Sequence, residues 1–121
     1  MIIGQTIFSV RRGTEHRAEA ALAEVRRQFT LADGLRGHSI LRSLGMSPLA
    51  SELSEDEGQS ALLGVHYVVQ TEWGTMAEHD AFYAGEGMRR AYSVLSSILT
   101  SGPYEILYEA VEEQQRERVA A

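Results

Sequence analysis

Apolar and polar residues alternate along three short stretches of the chain, and a fourth is almost continuously apolar; the first pattern is typical of β-strands with two different faces and the second of a buried strand. These stretches cover residues 2–10, 37–46, 62–73 and 104–111. Glycine, proline, aspartate and serine, the common turn formers, separate them. The pattern therefore predicts four strands.

The alternation also predicts which side chains share a face. Ile3 and Ile7 lie on one side of the first strand, and the other side is largely apolar too, so we expect both faces to be buried. In the second strand, His38 and Arg42 share a face with three apolar residues: Ile40, Leu44 and Met46. In the last strand, we expect one alternating set to point inward: Tyr104, Ile106 and Tyr108.

Two other stretches repeat apolar residues every three or four positions, which is typical of amphipathic helices. The first is expected to begin after Thr14, with an apolar stripe of five residues: Ala18, Ala21, Leu22, Val25 and Phe29. The second begins at Thr75, three residues before Glu78, which is the spacing of a capping box. Glycines at positions 85 and 87 interrupt it, and we predict that it continues through Leu99 until residues 102–103 end it.

The order strand, helix, strand therefore occurs twice, which predicts an α+β, ferredoxin-like βαββαβ fold with a four-stranded antiparallel sheet. We take residues 1–111 as one domain and 112–121 as a polar tail. An acidic, exposed connection is expected at 47–60. Because both helices cover the same sheet face, the other apolar face needs a cover, and a second copy of the chain would provide it. We predict a homodimer.

Composition narrows the classes of function. With 44% hydrophobic and 23% charged residues among 121, the chain has the make-up of a globular protein. Its net charge of −6 argues against a nucleic-acid partner. No cysteine is present, and no run of apolar residues is long enough for a membrane span, so we expect a cytoplasmic protein without a membrane partner. The four histidines lack the spacing of metal ligands, and we predict no metal site.

Candidate chemistry concentrates behind Trp73, where the third strand meets the second helix. His79, Phe82 and Tyr83 share one face of this helix. A histidine beside an apolar pocket can act as a base near neutral pH, and the alternative is a half-exposed helix histidine. Trp73 is interpreted as a plug of the core that also forms a pocket wall with Phe82 and Tyr83.

Further along the same helix, Arg89 and Arg90 could neutralise an anion or a developing enolate. Adjacent residues on a helix diverge by about 100°, so at most one of the two faces inward. The hydroxyl of Tyr92 either points at a ligand or accompanies simple core packing. His66 belongs to the strand face opposite Trp73, where we expect a dimer core or a hydrogen-bond partner.

The order of elements, the corner at residues 73–75 and the aromatic helix behind it resemble the antibiotic biosynthesis monooxygenase superfamily over residues 2–111. This resemblance implies a dimeric α/β barrel in which two sheets lie face to face. It also implies a pocket in each subunit between its sheet and its helices.

One branch of this superfamily oxidises polyketide anthrones without a cofactor. It has an Asn four residues before the strand Trp, where this chain has Val69, and a Tyr six residues after it, where this chain has His79. The resemblance implies a cofactor-independent monooxygenase for a small aromatic, quinol or anthrone-type substrate. His79 would be the base, Arg90 or Tyr92 would stabilise the oxyanion, and the pocket walls would be Trp73, Phe82 and Tyr83.

A second branch degrades haem, using an Asn on the first strand, a Trp in the helix and an axial His. The corresponding positions here hold Gln5 or Thr6, Phe82 and Tyr92. A haem-binding or haem-degrading protein with Tyr92 as ligand is therefore an alternative, since a phenolate can bind ferric haem. A third possibility is a non-catalytic dimer that binds a small molecule.

Overall fold

A computed structural model describes residues 1–45 and 64–113. The predictions for Met46, the connection at 47–60, the start of the third strand at 62–63 and most of the tail lie outside these residues. The described residues form seven elements: β1 Ile2–Val10, α1 Glu15–Phe29, β2 Leu35–Arg42, β3 Val65–Trp73, α2 Met76–Tyr83, α3 Glu86–Ser93 and β4 Leu99–Glu109.

The strands form one antiparallel sheet in the order β2-β3-β1-β4. This order, with the helices on one face, confirms the predicted ferredoxin-like fold. Strands β1 and β3 occupy the centre and pair over their full lengths, from Ile2 opposite Trp73 to Val10 opposite Val65. The corner after β3 is thereby fixed beside the beginning of the chain.

The core lies between the sheet and the helices. All five residues of the predicted α1 stripe are buried, which confirms that pattern. Against them pack alternate residues of the two central strands, including Phe8, Tyr67 and Val69. The ring centroids of Phe8 and Tyr67 lie 5.3 Å apart in a stacked arrangement.

The predicted end of the second helical region is wrong. Gly85 separates α2 from α3, as the glycines indicated, but α3 ends at Ser93 rather than continuing through Leu99. Turns follow α3. Leu95 and Ile98, whose spacing suggested a longer helix, are buried within these turns. Gly102, at φ +77°, lies inside β4, where the pairing with β1 shifts register.

Strand β2 begins earlier and ends sooner than predicted. It stops at Arg42, so Leu44, expected to share the buried face of Ile40, is 98% exposed beyond the strand. His38 does share the helix-side face, and its ring centroid lies 5.0 Å from that of Phe29.

The alternation of the last strand is correct, but its predicted direction is wrong. Tyr104, Ile106 and Tyr108 are 52%, 40% and 43% exposed on the sheet face away from the helices. The reason is the register with β1, which pairs Glu105 with Thr6 on the helix side. We call this outer surface the open face; its remaining apolar members are Ile3, Ile7, Leu41 and Val68.

The open face also carries His66, as predicted. Its Nδ1 lies 2.7 Å from the hydroxyl of Ser9, which confirms the expected hydrogen-bond partner. Whether a second copy covers this face stays a prediction, since one chain is described.

Candidate functional site

The corner between β3 and α2 sets the position of the site. Trp73 is fully buried, and its indole N–H donates a hydrogen bond to the hydroxyl of Thr71 at 2.8 Å. Two residues on, the hydroxyl of Thr75 accepts a hydrogen bond from the backbone N–H of Glu78 at 3.2 Å, as the predicted cap requires. The interpretation of Trp73 as a plug of the core is confirmed, and the cap fixes where α2 starts.

One face of α2 lies against Trp73. Ring centroids of His79, Phe82 and Tyr83 are 5.7, 5.5 and 6.1 Å from that of Trp73. His79 and Tyr83 also contact one another, at 4.6 Å. The structure therefore brings together four of the residues singled out from sequence.

His79 is 6% exposed, so the interpretation as a half-exposed helix histidine is wrong. Its Nδ1 lies 2.9 Å from Oδ1 of Asp80, and its Nε2 lies 2.7 Å from Oε1 of Glu105. Carboxylate oxygens only accept hydrogen bonds. Both contacts can therefore be hydrogen bonds at the same time only if each ring nitrogen of His79 carries a hydrogen. The Glu105 side chain is 21% exposed against 67% for Asp80, and the contact to Glu105 is the more shielded of the two.

Glu105, which contacts His79, is absent from the site residues predicted from the sequence. Its Oε2 is buried and has no hydrogen-bond partner among residues 1–45 and 64–113. Gly4, beside it on β1, leaves the room it occupies, because a Cβ there would lie 2.6 Å from this oxygen. The sequence did contain a signal, since Glu105 alternates with Tyr104 and Ile106. Using it requires knowing which face of the strand points toward the helices.

Two phenols complete a group of buried polar side chains. The hydroxyls of Tyr83 and Tyr92 are buried and, within the described part of the chain, lack hydrogen-bond partners. Burial raises the pKa of Tyr83, and the nearby Glu105 carboxylate raises it further, while the neighbouring hydroxyls of Thr71 and Thr6 lower it by less. Burial likewise raises the pKa of Tyr92, followed by the effects of Tyr83 and Glu105, although the hydroxyl of Thr6 opposes this. Both phenols therefore keep their protons at neutral pH.

We call His79, Tyr83, Tyr92 and Glu105 the polar cluster. Three of its oxygens are buried and have no hydrogen-bond partner within residues 1–45 and 64–113, whereas buried polar atoms in proteins are nearly always hydrogen-bonded. Such atoms are expected to meet water or a ligand. Chemically, the cluster offers a carboxylate acceptor, two neutral O–H donors and an imidazole. It lies against an aromatic wall formed by the rings of Trp73, Phe82 and Tyr83.

An open cleft of about 400 Å³ lies between the end of α1 and helices α2 and α3. Phe82 lines this cleft and also contacts Trp73 and Tyr83 in the aromatic wall. Phe82, a predicted wall residue, therefore lies between the cleft and the polar cluster, whose Tyr83 it contacts.

The structure does not bring Arg90 into the cluster. Arg89 and Arg90 are both exposed, because the buried positions of α3 are Met88 and Ala91 on either side of them. A helix that turns those two residues inward turns both arginines outward. The predicted oxyanion role of Arg90 therefore has no structural contact to support it, whereas Tyr92 does lie in the cluster.

Residues 1–45 and 64–113 contain no group of three or more His, Asp or Glu side chains placed to hold a metal ion. None of their helices has the length and apolar character needed to cross a bilayer.

No family model matches the sequence, and no curated protein matches it either. Solved structures do match. A candidate antibiotic biosynthesis monooxygenase from Nitrosomonas europaea gives a TM-score of 0.68 at 12% identity, over 93% of this chain and 100% of that one. SnoaB, described as a cofactor-independent oxygenase from Streptomyces nogalater, gives 0.66 at 17% identity, over 95% and 97% of the two chains.

A candidate antibiotic biosynthesis monooxygenase from Bordetella bronchiseptica gives a TM-score of 0.63 at 20% identity, over 92% of this chain and 97% of that one. These likenesses extend over nearly the whole of each chain, while the sequences have little in common. The chain has the fold of these solved structures.

Proposed function

We propose that this protein is a cofactor-independent monooxygenase that acts on a small planar aromatic molecule of the quinol or anthrone type. The observation that carries the proposal is the largely shielded His79–Glu105 pair, which lies beside the aromatic wall and near phenol hydroxyls that have no hydrogen-bond partner among the described residues. The likeness in fold to SnoaB, a cofactor-independent oxygenase, supports the same class of reaction.

The reaction would begin with loss of a proton from the substrate to the His79–Glu105 pair. The electron pair of the broken bond stays on the substrate as a carbanion, which reduces dioxygen. For an anthrone, the methylene is oxidised by four electrons to a carbonyl, and dioxygen supplies that oxygen while its second atom leaves as water. The chemistry needs a base, a partner for the oxyanion and the exclusion of water.

The remaining residues of the site would stabilise the negative charge of the substrate and hold its planar ring system. Tyr83 and Tyr92, which keep their protons, would donate hydrogen bonds to the developing oxyanion. Trp73 and Phe82 would hold the planar ring system by stacking. A homodimer joined through the open face is part of this proposal, because that face carries apolar side chains from all four strands and is uncovered in one chain.

Oxygen consumption tests the proposal. Purified protein is mixed with a panel of anthrones and quinols, and products are analysed after reaction under ¹⁸O₂. We expect uptake above the spontaneous rate and one labelled oxygen atom in the product. Removal of both pair members, by His79→Ala with Glu105→Ala, should lower kcat/KM by about 10²-fold or more. The exposed Arg89→Gln serves as the matched control, and equal rates in all three proteins would overturn the proposal.

A second candidate is a dimer that binds such a molecule without oxidising it. Val69 favours this function, because it is buried and apolar where the resemblance implies an Asn. Tight binding of an anthrone or quinol with oxygen uptake no faster than the spontaneous rate would establish it.

The haem alternative fits the residues poorly. An axial Tyr92 would have to ionise, but burial raises the pKa of this phenol and the Glu105 carboxylate opposes a second negative charge. We expect no Soret shift when hemin is added at stoichiometric concentration.

A further inference from the structure

We infer that Glu105, rather than His79, takes the proton from the substrate, that His79 is a positioning residue for it, and that the site selects uncharged ligands with an acidic O–H or C–H group. This inference rests on the proposed function for its reaction. Its ligand selection is independent of any turnover.

The contacts of the pair distinguish its two members. Both ring nitrogens of His79 already face carboxylate oxygens, of Asp80 and of Glu105. To accept a proton from a substrate, the imidazole would have to leave one of these contacts and give up a hydrogen. The Oε2 atom of Glu105 needs neither change, because it is buried and unpartnered among the described residues.

The surroundings of Oε2 include the backbone of β1 and the two phenols. Gly4 on β1 leaves the space that this carboxylate fills, because a Cβ there would lie 2.6 Å from Oε2. The hydroxyls of Tyr83 and Tyr92 are close enough for the Glu105 charge to act on both phenols. A substrate hydroxyl or acidic methylene at Oε2 would therefore place its oxygen within the region of the two phenol donors.

The proton transfer breaks the O–H or C–H bond of the substrate and forms an O–H bond on Oε2. The electron pair remains on the substrate and passes to dioxygen, the oxidant of the proposed reaction. The proton held by Glu105 then leaves with the reduced oxygen atom as part of the water formed. His79, hydrogen-bonded to Oε1, holds the carboxylate in place throughout.

The same geometry predicts which ligands are rejected. In the described part of the chain, His79 is the one basic side chain that contacts Glu105. A ligand carboxylate would bring a second negative charge to Oε2, at a site where burial has reduced the screening by water. An ether would supply no hydrogen and would leave Oε2 unpartnered.

Binding of three matched probes tests this selection by isothermal titration calorimetry without oxygen: 2-naphthol, 2-methoxynaphthalene and 2-naphthoate. We expect wild-type protein to bind 2-naphthol at least about tenfold more tightly than either of the others. In Glu105→Gln, whose amide can donate, the advantage over 2-naphthoate should disappear. Equal affinities in the wild type, or an unchanged preference in Glu105→Gln, would overturn the inference.

A second variant guards against failure of Glu105→Gln to fold. Gly4→Ala would place a Cβ 2.6 Å from Oε2 and so displace the same carboxylate. It should weaken 2-naphthol binding about tenfold. Gly85→Ala is the control, because its Cβ would meet only Phe82 O at 3.4 Å.

Turnover separates the roles of the two residues. Glu105→Gln should lower kcat by about 10²-fold or more, whereas His79→Gln, which keeps an N–H donor toward Glu105, should retain activity within about tenfold. His79→Ala, without a donor, should be slower than His79→Gln. If His79→Gln is as slow as Glu105→Gln, the imidazole is the base and the inference fails. If the wild type consumes no oxygen while the probe preference holds, the proposed function fails and the ligand selection stands.

Discussion

Nε2 of His79 lies 2.7 Å from Oε1 of Glu105, across 26 positions of sequence, and this contact joins helix α2 to the edge strand β4. Both side chains are largely shielded from water, at 7% and 21% exposure. Few water molecules compete with a hydrogen bond to a carboxylate in such surroundings. Removing one partner would lower the stability of the fold, because the other would be left shielded from water without a hydrogen bond. The pair is therefore expected to stabilise the docking of α2 onto the sheet as well as to provide chemistry.

A double-mutant cycle measures this coupling. From urea unfolding of wild type, His79→Ala, Glu105→Ala and the double variant, we expect a coupling free energy of about 1–3 kcal/mol. The control is the Arg27–Glu24 pair, whose side chains are 62% and 43% exposed and which should couple more weakly, because water screens its charges. Similar values for the two pairs would show that burial adds nothing to the His79–Glu105 contact.

The hydrogen bond from Trp73 to Thr71 should contribute measurably to stability. Thr71→Val keeps the shape of the side chain but leaves the indole N–H buried without its acceptor, which we expect to lower the free energy of unfolding by about 1–3 kcal/mol. In a Trp73→Phe background, which has no indole N–H, the same replacement should cost less. Urea denaturation measures both effects, and an equal cost in the two backgrounds would contradict the assignment.

Alkaline pH should destabilise the fold through its buried tyrosines. Burial raises the pKa of Tyr67 from 10.0 to about 12, and it also raises the pKa of Tyr83 and Tyr92. Above pH 10 the unfolded chain has lost protons that the native chain still binds, so the free energy of unfolding falls as pH rises. The stabilisation is full below pH 10 and is lost as pH rises through the native pKa values.

Urea midpoints at pH 9, 10 and 11 check this dependence. The double variant Tyr83→Phe, Tyr92→Phe should show a shallower fall than the wild type, because fewer buried phenols resist ionisation. Tyr104→Phe, on the open face, provides a matched tyrosine replacement outside the polar cluster. If the urea midpoint falls with pH equally steeply in the wild type and the double variant, Tyr83 and Tyr92 are not the cause of the alkaline destabilisation.

The open face should mediate the proposed homodimer. Ile106→Glu places a charge among its apolar residues and is expected to shift the protein from dimer to monomer in sedimentation velocity at micromolar concentration. Val94→Glu is the control, because Val94 is 64% exposed but lies after α3, away from the sheet. A wild type that sediments as a monomer, or two variants with the same mass, would contradict the prediction.

Where local spacing decides the structure, the sequence predicted it well. The stripe of α1, the full length of β1 and the cap formed by Thr75 and Glu78 were all correct. Each depends on residues within a few positions of one another, so the energetic preference is contained in the segment itself. The gathering of His79, Phe82 and Tyr83 behind Trp73 followed from helical spacing in the same way.

The tertiary structure decided what depends on strand pairing and on packing between distant elements. Leu95 and Ile98 are buried as their spacing indicated, but turns rather than a longer helix bury them, since β4 must begin at Leu99 to pair with β1. The same pairing directs Glu105 toward the helices and Tyr104 away from them. Alternation along a strand fixes which residues share a face, but only the neighbouring strand determines which face meets the core. The sequence by itself therefore determined the elements and the aromatic wall, and the tertiary structure placed the buried carboxylate beside His79.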